Sequence, residues 1–87
     1  MTYKLRIEQK LSALAPIRLE VIDDSEKHRG HGGYREGGET HFTVRIVADA
    51  FTGLNRVARH RLVNELLAAE LSERVHALAI EARAPGE

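Results

Sequence analysis

The chain has 87 residues, of which 43 % are hydrophobic and 30 % are charged, and its formal net charge is zero. A chain this short forms one small domain with a single core, and its neutral balance creates no global field toward nucleic acid or anionic lipid. It contains no cysteine, which excludes disulfides, thiol nucleophiles and thiolate ligands from the chain itself. No segment has the apolar length of a signal peptide or a membrane span, so we expect a cytoplasmic protein that is not inserted in a membrane.

The first part of the chain predicts a helix followed by a strand. Thr2 is a suitable N-cap for a helix that continues to about Leu14, and Pro16 ends that helix. Residues 17–22 then alternate in the manner of a strand with one face more buried than the other.

Residues 24–40 are predicted to form a flexible loop. They contain five glycines and almost no aliphatic side chain, so they contribute little to a core. The segment carries His28 and His31. Loops of this length in small domains are often functional.

The second part of the chain predicts a strand, a helix and a strand. Residues 41–48 alternate, with Phe42, Val44 and Ile46 on one face. Asn55 is a suitable N-cap for an amphipathic helix over residues 56–71. Residues 75–82 form a short apolar run with strand character, and residues 83–87 are predicted to be a disordered tail.

These elements predict a single α+β domain with the order helix, strand, strand, helix, strand. The first two strands are expected to pair as antiparallel neighbours. A helix between the second and third strands implies that those two run parallel, with a right-handed crossover. The sheet is therefore three-stranded and mixed, and helices cover it.

The parallel pair has a consequence for the histidines. Parallel strands begin at the same edge of a sheet, so His76 should lie near His41. The glycine-rich loop runs into the second strand, which brings His28 and His31 above the same edge. Histidines far apart in the chain are thus expected to converge.

Several segments resemble the BolA family. They are THFTVRIVADAFTGLNRVARHRLVNELLAAEL and VHALAIEARAP, together with KHRGHGG and GGETHF upstream. The resemblance covers residues 1–87, and its specific signals are F-x-G, then R-H-R-L-V, then H-A-L-A-I. It implies an α/β fold similar to the type II KH module.

The resemblance implies one role in iron–sulfur trafficking or iron sensing. In it the protein partners a monothiol glutaredoxin, with glutathione, and shares a [2Fe–2S] cluster. The ligand positions of the family map onto His76 and onto either His28 or His31. A chain without thiolates can supply only histidines while its partner supplies sulfur, so no cluster is expected to bind stably to this chain alone. The alternatives are a structural histidine that opens a strand, for His76, and solvated loop residues for the other two.

The resemblance also implies an alternative role in DNA binding and in the transcriptional control of morphology and stress responses. Its helix-turn-helix-like region maps onto residues 51–71, where Arg56, Arg59, His60 and Arg61 are the candidate contacts. Basic side chains of this kind neutralise phosphates, although a solvated helix face has the same composition.

We expect no enzyme activity. The chain has no recognisable nucleophile motif, no phosphate-binding glycine loop between strand and helix, and no converging pair of carboxylates. The free protein is expected to be a monomer or a weak dimer.

Overall fold

The computed structural model of the chain describes residues 2–25 and 38–87. The predictions for His28 and His31 lie outside these residues, as does most of the predicted loop over residues 24–40.

The first helix, α1, spans Tyr3–Leu11 and continues into a single 3₁₀ turn over Ser12–Leu14. The Thr2 hydroxyl accepts a hydrogen bond of 3.1 Å from the backbone N–H of Leu5, which satisfies one of the unpaired donors at the helix start. Ile7 and Leu11 lie one turn apart and are both buried. The predicted cap and helix are confirmed.

The sheet has three strands in the order β1, β2, β3, which span Arg18–Asp23, His41–Val47 and Ala77–Arg83. β1 and β2 are antiparallel, whereas β2 and β3 are parallel, with His41 opposite Ala77. This arrangement confirms the predicted α+β class and the mixed sheet. β1 begins at Arg18, one residue later than predicted, and Ile17 before it is exposed.

One face of the sheet forms the core. Phe42, Val44 and Ile46 on β2 are at most 1 % exposed, as their alternation predicts. They pack in one cluster with residues from the helices and the other strands, namely Ile7, Leu11, Val21, Ala48, Phe51, Val63, Leu67, Val75 and Ala84. Burial of this continuous apolar cluster is the main stabilising contribution to the fold.

The predicted helix over residues 56–71 is divided into two. α2 spans Arg56–Leu66 and α3 spans Ala68–Glu73, and between them Leu67 departs from helical geometry with φ −103° and ψ 17°. The bend accompanies the burial of Leu67 and the contact of Glu70 on α3 with α1, neither of which a helical repeat alone specifies. Asn55 caps α2 as predicted, because its side chain accepts a hydrogen bond from the Ala58 N–H. Within the described ranges no helix has the length and apolarity to cross a membrane.

A buried carboxylate connects α1 to α3. Glu70 is fully buried and accepts hydrogen bonds from Arg6 at 3.0 Å and from Lys10 at 2.8 Å. Burial alone raises the pKa of Glu70, but the hydrogen bond from Lys10 and the charges of both cations outweigh it and leave the pKa below its ordinary value. The carboxylate is therefore ionised within the fold, with both of its oxygens paired.

The end of the chain differs from the predicted disordered tail over residues 83–87. Arg83 is the last residue of β3, and Ala84 is buried. The Glu87 carboxylate accepts hydrogen bonds from the guanidinium of Arg59 and from the backbone N–H of Ala84. These contacts fix the last residues, and short-range sequence patterns do not show them because Arg59 lies far away in the chain.

Candidate functional site

His76 lies at the edge of the sheet where the parallel strands begin. We call Thr40, His41, His76 and Ala77 at this edge the rim. The Thr40 carbonyl accepts hydrogen bonds from the N–H groups of His76 at 2.7 Å and Ala77 at 3.2 Å. The His76 residue is exposed, so the rim holds the backbone of His76 while its side chain can be reached from solvent.

The predicted convergence of His41 and His76 is confirmed. Their ring centroids are 5.5 Å apart and their planes are tilted by 55°. His41 is only 5 % exposed, and its Nδ1 lies 2.9 Å from the Thr40 hydroxyl oxygen. The rim thus places one exposed imidazole beside a buried one whose ring is fixed by a hydrogen bond.

The residues on either side of the 26–37 segment are held together next to the rim. We call Asp23, Ser25, Gly38, Glu39 and Thr40 the neck. The buried Ser25 Oγ accepts from the N–H of Thr40 at 2.8 Å and donates to Asp23 Oδ1 at 2.5 Å. The other oxygen of Asp23 accepts from the N–H of Glu39 at 3.2 Å. Hydrogen bonds therefore join residues 23–25 to residues 39–40 beside the rim.

Arg74 holds the returning side of the neck. Its Nε and Nη2 donate to the Gly38 carbonyl at 3.0 and 2.7 Å. Gly38 has φ 74°, a conformation that residues with a Cβ disfavour. Arg74 immediately follows α3, and its own N–H bonds to the Glu70 carbonyl. The helical layer is connected in this way to the neck and to the start of β3.

The donor chemistry of the rim fits partial ligation of an iron–sulfur cluster. Two histidines can replace two cysteines on one iron of such a cluster, and His76 offers an exposed imidazole. Across residues 2–25 and 38–87 there is no group of three or more histidine, cysteine or acidic side chains placed to hold a metal ion.

The alternative candidate residues all lie on α2. We call Arg56, Arg59, His60 and Arg61 the basic helix surface. Arg56 and Arg61 are exposed and His60 is half-buried. Arg56 and His60 line a groove of about 430 Å³ between α2 and the end of β3, whereas Arg61 faces a neighbouring groove. The structure thus brings three of these four side chains to accessible positions.

Arg59 is held within the fold. Its guanidinium donates to the carbonyls of Leu54 at 2.8 Å and Ala82 at 3.1 Å and to the Glu87 carboxylate, and its side chain is only 12 % exposed. The hydrogen bond from Arg59 lowers the pKa of Glu87 to about 2. A phosphate contact by Arg59 would have to compete with all of these bonds.

Comparison with known proteins agrees with this geometry. The family model described as BolA-like protein matches residues 11–87. The chain belongs to the BolA family. A relative from Sinorhizobium sp, named an uncharacterized protein in the cobS 5′ region, is 55 % identical over 93 % of this chain and 89 % of its own. The DNA-binding transcriptional regulator BolA of Escherichia coli K12 is 46 % identical over 92 % of this chain and 73 % of its own.

A solved BolA structure matches the whole fold. The BolA domain of SufE1 from Arabidopsis thaliana has a TM-score of 0.86 and 45 % identity, over 98 % of this chain and 94 % of that one. The chain spans only 24 % of the full SufE-like protein 1, which is named chloroplastic and mitochondrial. The predicted cytoplasmic location of this BolA-family chain stays a prediction.

The site residues predicted from the sequence did not include Ser25 and Arg74. Asp23 and Ser25 have the spacing of a turn in which an aspartate side chain accepts a nearby backbone N–H, and that bond is present at 2.9 Å. This signal indicates a turn, and it does not reveal that the same serine reaches Thr40 across 15 positions.

Proposed function

We propose that this protein is an adaptor that partners a monothiol glutaredoxin and supplies histidine ligands to a shared [2Fe–2S] cluster, in iron–sulfur trafficking or iron sensing. The observation that carries the proposal is the position of His76. It is exposed at the rim, beside His41 and next to the neck, whose residues flank the part of the sequence that contains His28 and His31. A [2Fe–2S] cluster, when bound, supplies transferable iron and sulfide with a visible absorption spectrum.

The ligands divide by chemistry between the two partners. His76 and one of His28 or His31 supply neutral nitrogen, and the glutaredoxin and glutathione supply the thiolates that this chain lacks. Such a site is complete only in the complex. His41, buried and bonded to Thr40, supports the rim beside His76.

The test is anaerobic reconstitution of the complex. A monothiol glutaredoxin, glutathione, iron and sulfide are mixed with the wild-type chain, and the product is followed by size-exclusion chromatography and visible absorption. We expect a heterodimer whose spectrum differs from that of the glutaredoxin alone. His76→Ala should abolish that difference, and His60→Ala, which removes a histidine on α2, should retain it. A wild-type chain that leaves the glutaredoxin spectrum unchanged contradicts the proposal.

A second candidate function is DNA binding by the basic helix surface. Arg56 and Arg61 are exposed on α2, and the relative from Escherichia coli is named a DNA-binding regulator. Because Arg59 is bound to Glu87 and to two carbonyls, Arg56 and Arg61 are the stronger candidates for phosphate contacts.

Fluorescence anisotropy with duplex DNA at several salt concentrations tests this second function. Replacement of Arg56 or Arg61 by alanine should weaken binding and lower the slope of log K against log salt by about one. Arg18→Ala is the matched control, because Arg18 is an exposed arginine on β1. The absence of measurable binding by the wild type contradicts DNA recognition.

A further inference from the structure

We propose that Ser25 and Arg74 are positioning residues that set the geometry of the rim at His76. The expected effect on the cluster rests on the proposed function. The hydrogen bonds that position His76 join only residues that the structure describes. Neither Ser25 nor Arg74 is itself a ligand of the proposed cluster.

Ser25 acts on His76 through Thr40. The Ser25 hydroxyl accepts hydrogen bonds from the N–H groups of Thr40 at 2.8 Å and His41 at 3.2 Å. The carbonyl of the same Thr40 accepts the N–H groups of His76 and Ala77. One buried hydroxyl therefore fixes the peptide group between Thr40 and His41, whose carbonyl binds the backbone at the start of β3.

The hydrogen bond that Ser25 donates to Asp23 orients its oxygen. The hydroxyl proton is directed to Asp23 Oδ1 at 2.5 Å, and the same carboxylate oxygen accepts the Ser25 N–H at 2.9 Å. With its proton committed, the oxygen presents its lone pairs to Thr40 and His41. Removal of the hydroxyl would leave these two buried N–H groups without this acceptor, a change that proteins tolerate poorly.

Arg74 holds the other side of the neck. Two donors of the Arg74 guanidinium converge on the carbonyl of Gly38, which lies two residues before Thr40. Arg74 itself lies two residues before His76. These two hydrogen bonds hold Gly38 against the end of α3 and so restrict the position of the backbone that leads into the rim. Ser25 and Arg74 together therefore hold the two sides of the neck beside the start of β3, next to His76.

Amide hydrogen exchange of the free 87-residue chain tests these hydrogen bonds without any cluster. In Ser25→Ala the amides of His76 and Ala77 should exchange about tenfold faster than in the wild type, because their acceptor peptide is no longer held. Ile46→Val, which removes a buried methylene at the far end of β2, is the control for general destabilisation. Equal exchange at His76 and Ala77 in the wild type and Ser25→Ala overturns the role of Ser25.

The visible circular dichroism of the reconstituted complex with a monothiol glutaredoxin tests the consequence. Arg74→Ala and Ser25→Ala should still form the heterodimer, but with an altered cluster spectrum and with loss of iron to a chelator several-fold faster. Arg74→Lys, which retains one donor toward Gly38, should restore part of the wild-type spectrum, and Arg18→Ala should match the wild type. If Ser25→Ala does not fold, the comparison of Arg74→Ala with Arg74→Lys decides whether the neck positions the rim.

The two levels of failure are distinguishable. A wild-type chain that forms no cluster complex overturns the proposed function, and the exchange experiment still decides whether Ser25 positions His76. A wild-type complex whose spectrum and iron loss are unchanged in both alanine variants overturns the positioning role and leaves the proposed function standing.

Discussion

At the scale of single residues, Arg59 has a different role from its neighbours on the basic helix surface. Its guanidinium bonds to the carbonyls of Leu54 and Ala82 and to the Glu87 carboxylate. The bonds join the turn before α2, the end of β3 and the last residue of the chain. The hydrogen bond to Glu87 raises the pKa of Arg59 and holds that of Glu87 at about 2.

The depressed pKa of Glu87 predicts a pH-dependent contribution to stability. A carboxyl whose pKa is lower in the folded than in the unfolded chain stabilises the fold above its ordinary pKa, here near 4.5. That contribution is lost as the pH falls through about 2. We therefore expect Glu87→Gln to melt at a lower temperature than the wild type at neutral pH, and the difference to shrink as the pH is lowered through this window. Thermal melts across the window measure it, and a difference that does not change with pH is inconsistent with this account.

At the scale of elements, the helical layer is joined by one buried acid. Glu70 on α3 bonds to Arg6 and Lys10 on α1, and its carbonyl also accepts the N–H groups of Arg74 and Val75. The side chain of Glu70 thus fixes α3 against α1, and its backbone fixes the residues that lead to His76.

Replacement of this acid should cost substantial stability. In Glu70→Gln the charge is lost while Arg6 and Lys10 remain, so we expect the free energy of unfolding to fall by about 2 kcal/mol. Urea denaturation measures the change. Glu65→Gln, on the exposed side of α2, should stay within about 0.5 kcal/mol of the wild type. Equal losses in the two variants would show that the buried network contributes nothing specific.

The sequence predicted those elements whose pattern is local. The alternation of Phe42, Val44 and Ile46 and the cap residue Asn55 each depend on neighbours a few positions away, and both are confirmed. The bend at Leu67 accompanies hydrogen bonds between α3 and α1, and the fixed end of the chain is bonded to Arg59. Contacts across the fold decide both features, so short-range periodicity does not reveal them.

The candidate site follows the same division. The meeting of His41 and His76 follows from the parallel pairing of β2 and β3, which the element order predicts. The hydrogen bonds of Ser25 to Thr40 and of Arg74 to Gly38 join polar groups that are distant in the chain. Polar residues carry no periodic signal that would indicate such partners.

At the scale of the whole molecule, the rim and the basic helix surface lie toward opposite ends of β3. His76 directly precedes the strand, whereas the groove beside Arg56 and His60 is lined by residues 80–83 near its end. Seven residues in extended conformation span roughly 20 Å. A ligand that contacts His76 at the start of the strand would therefore not contact the end of β3 beside Arg56 directly.

This separation predicts that the two candidate functions respond independently to substitution. Arg56→Ala should leave the spectrum of the glutaredoxin complex unchanged, and His76→Ala should leave any DNA affinity unchanged. Reconstitution and anisotropy on the same two proteins measure both. Parallel loss of both activities in either variant would indicate that one surface serves both.

The most direct test of the account is whether nitrogen from this chain is bound to iron. The chain is labelled with ¹⁵N-histidine, reconstituted with an unlabelled monothiol glutaredoxin, and the reduced cluster is analysed by electron–nuclear double resonance. We expect ¹⁵N couplings from histidine ligands in the wild type, with the coupling of His76 missing in His76→Ala and retained in His60→Ala. A cluster with no ¹⁵N coupling, or one whose couplings persist unchanged without His76, would contradict the central claim.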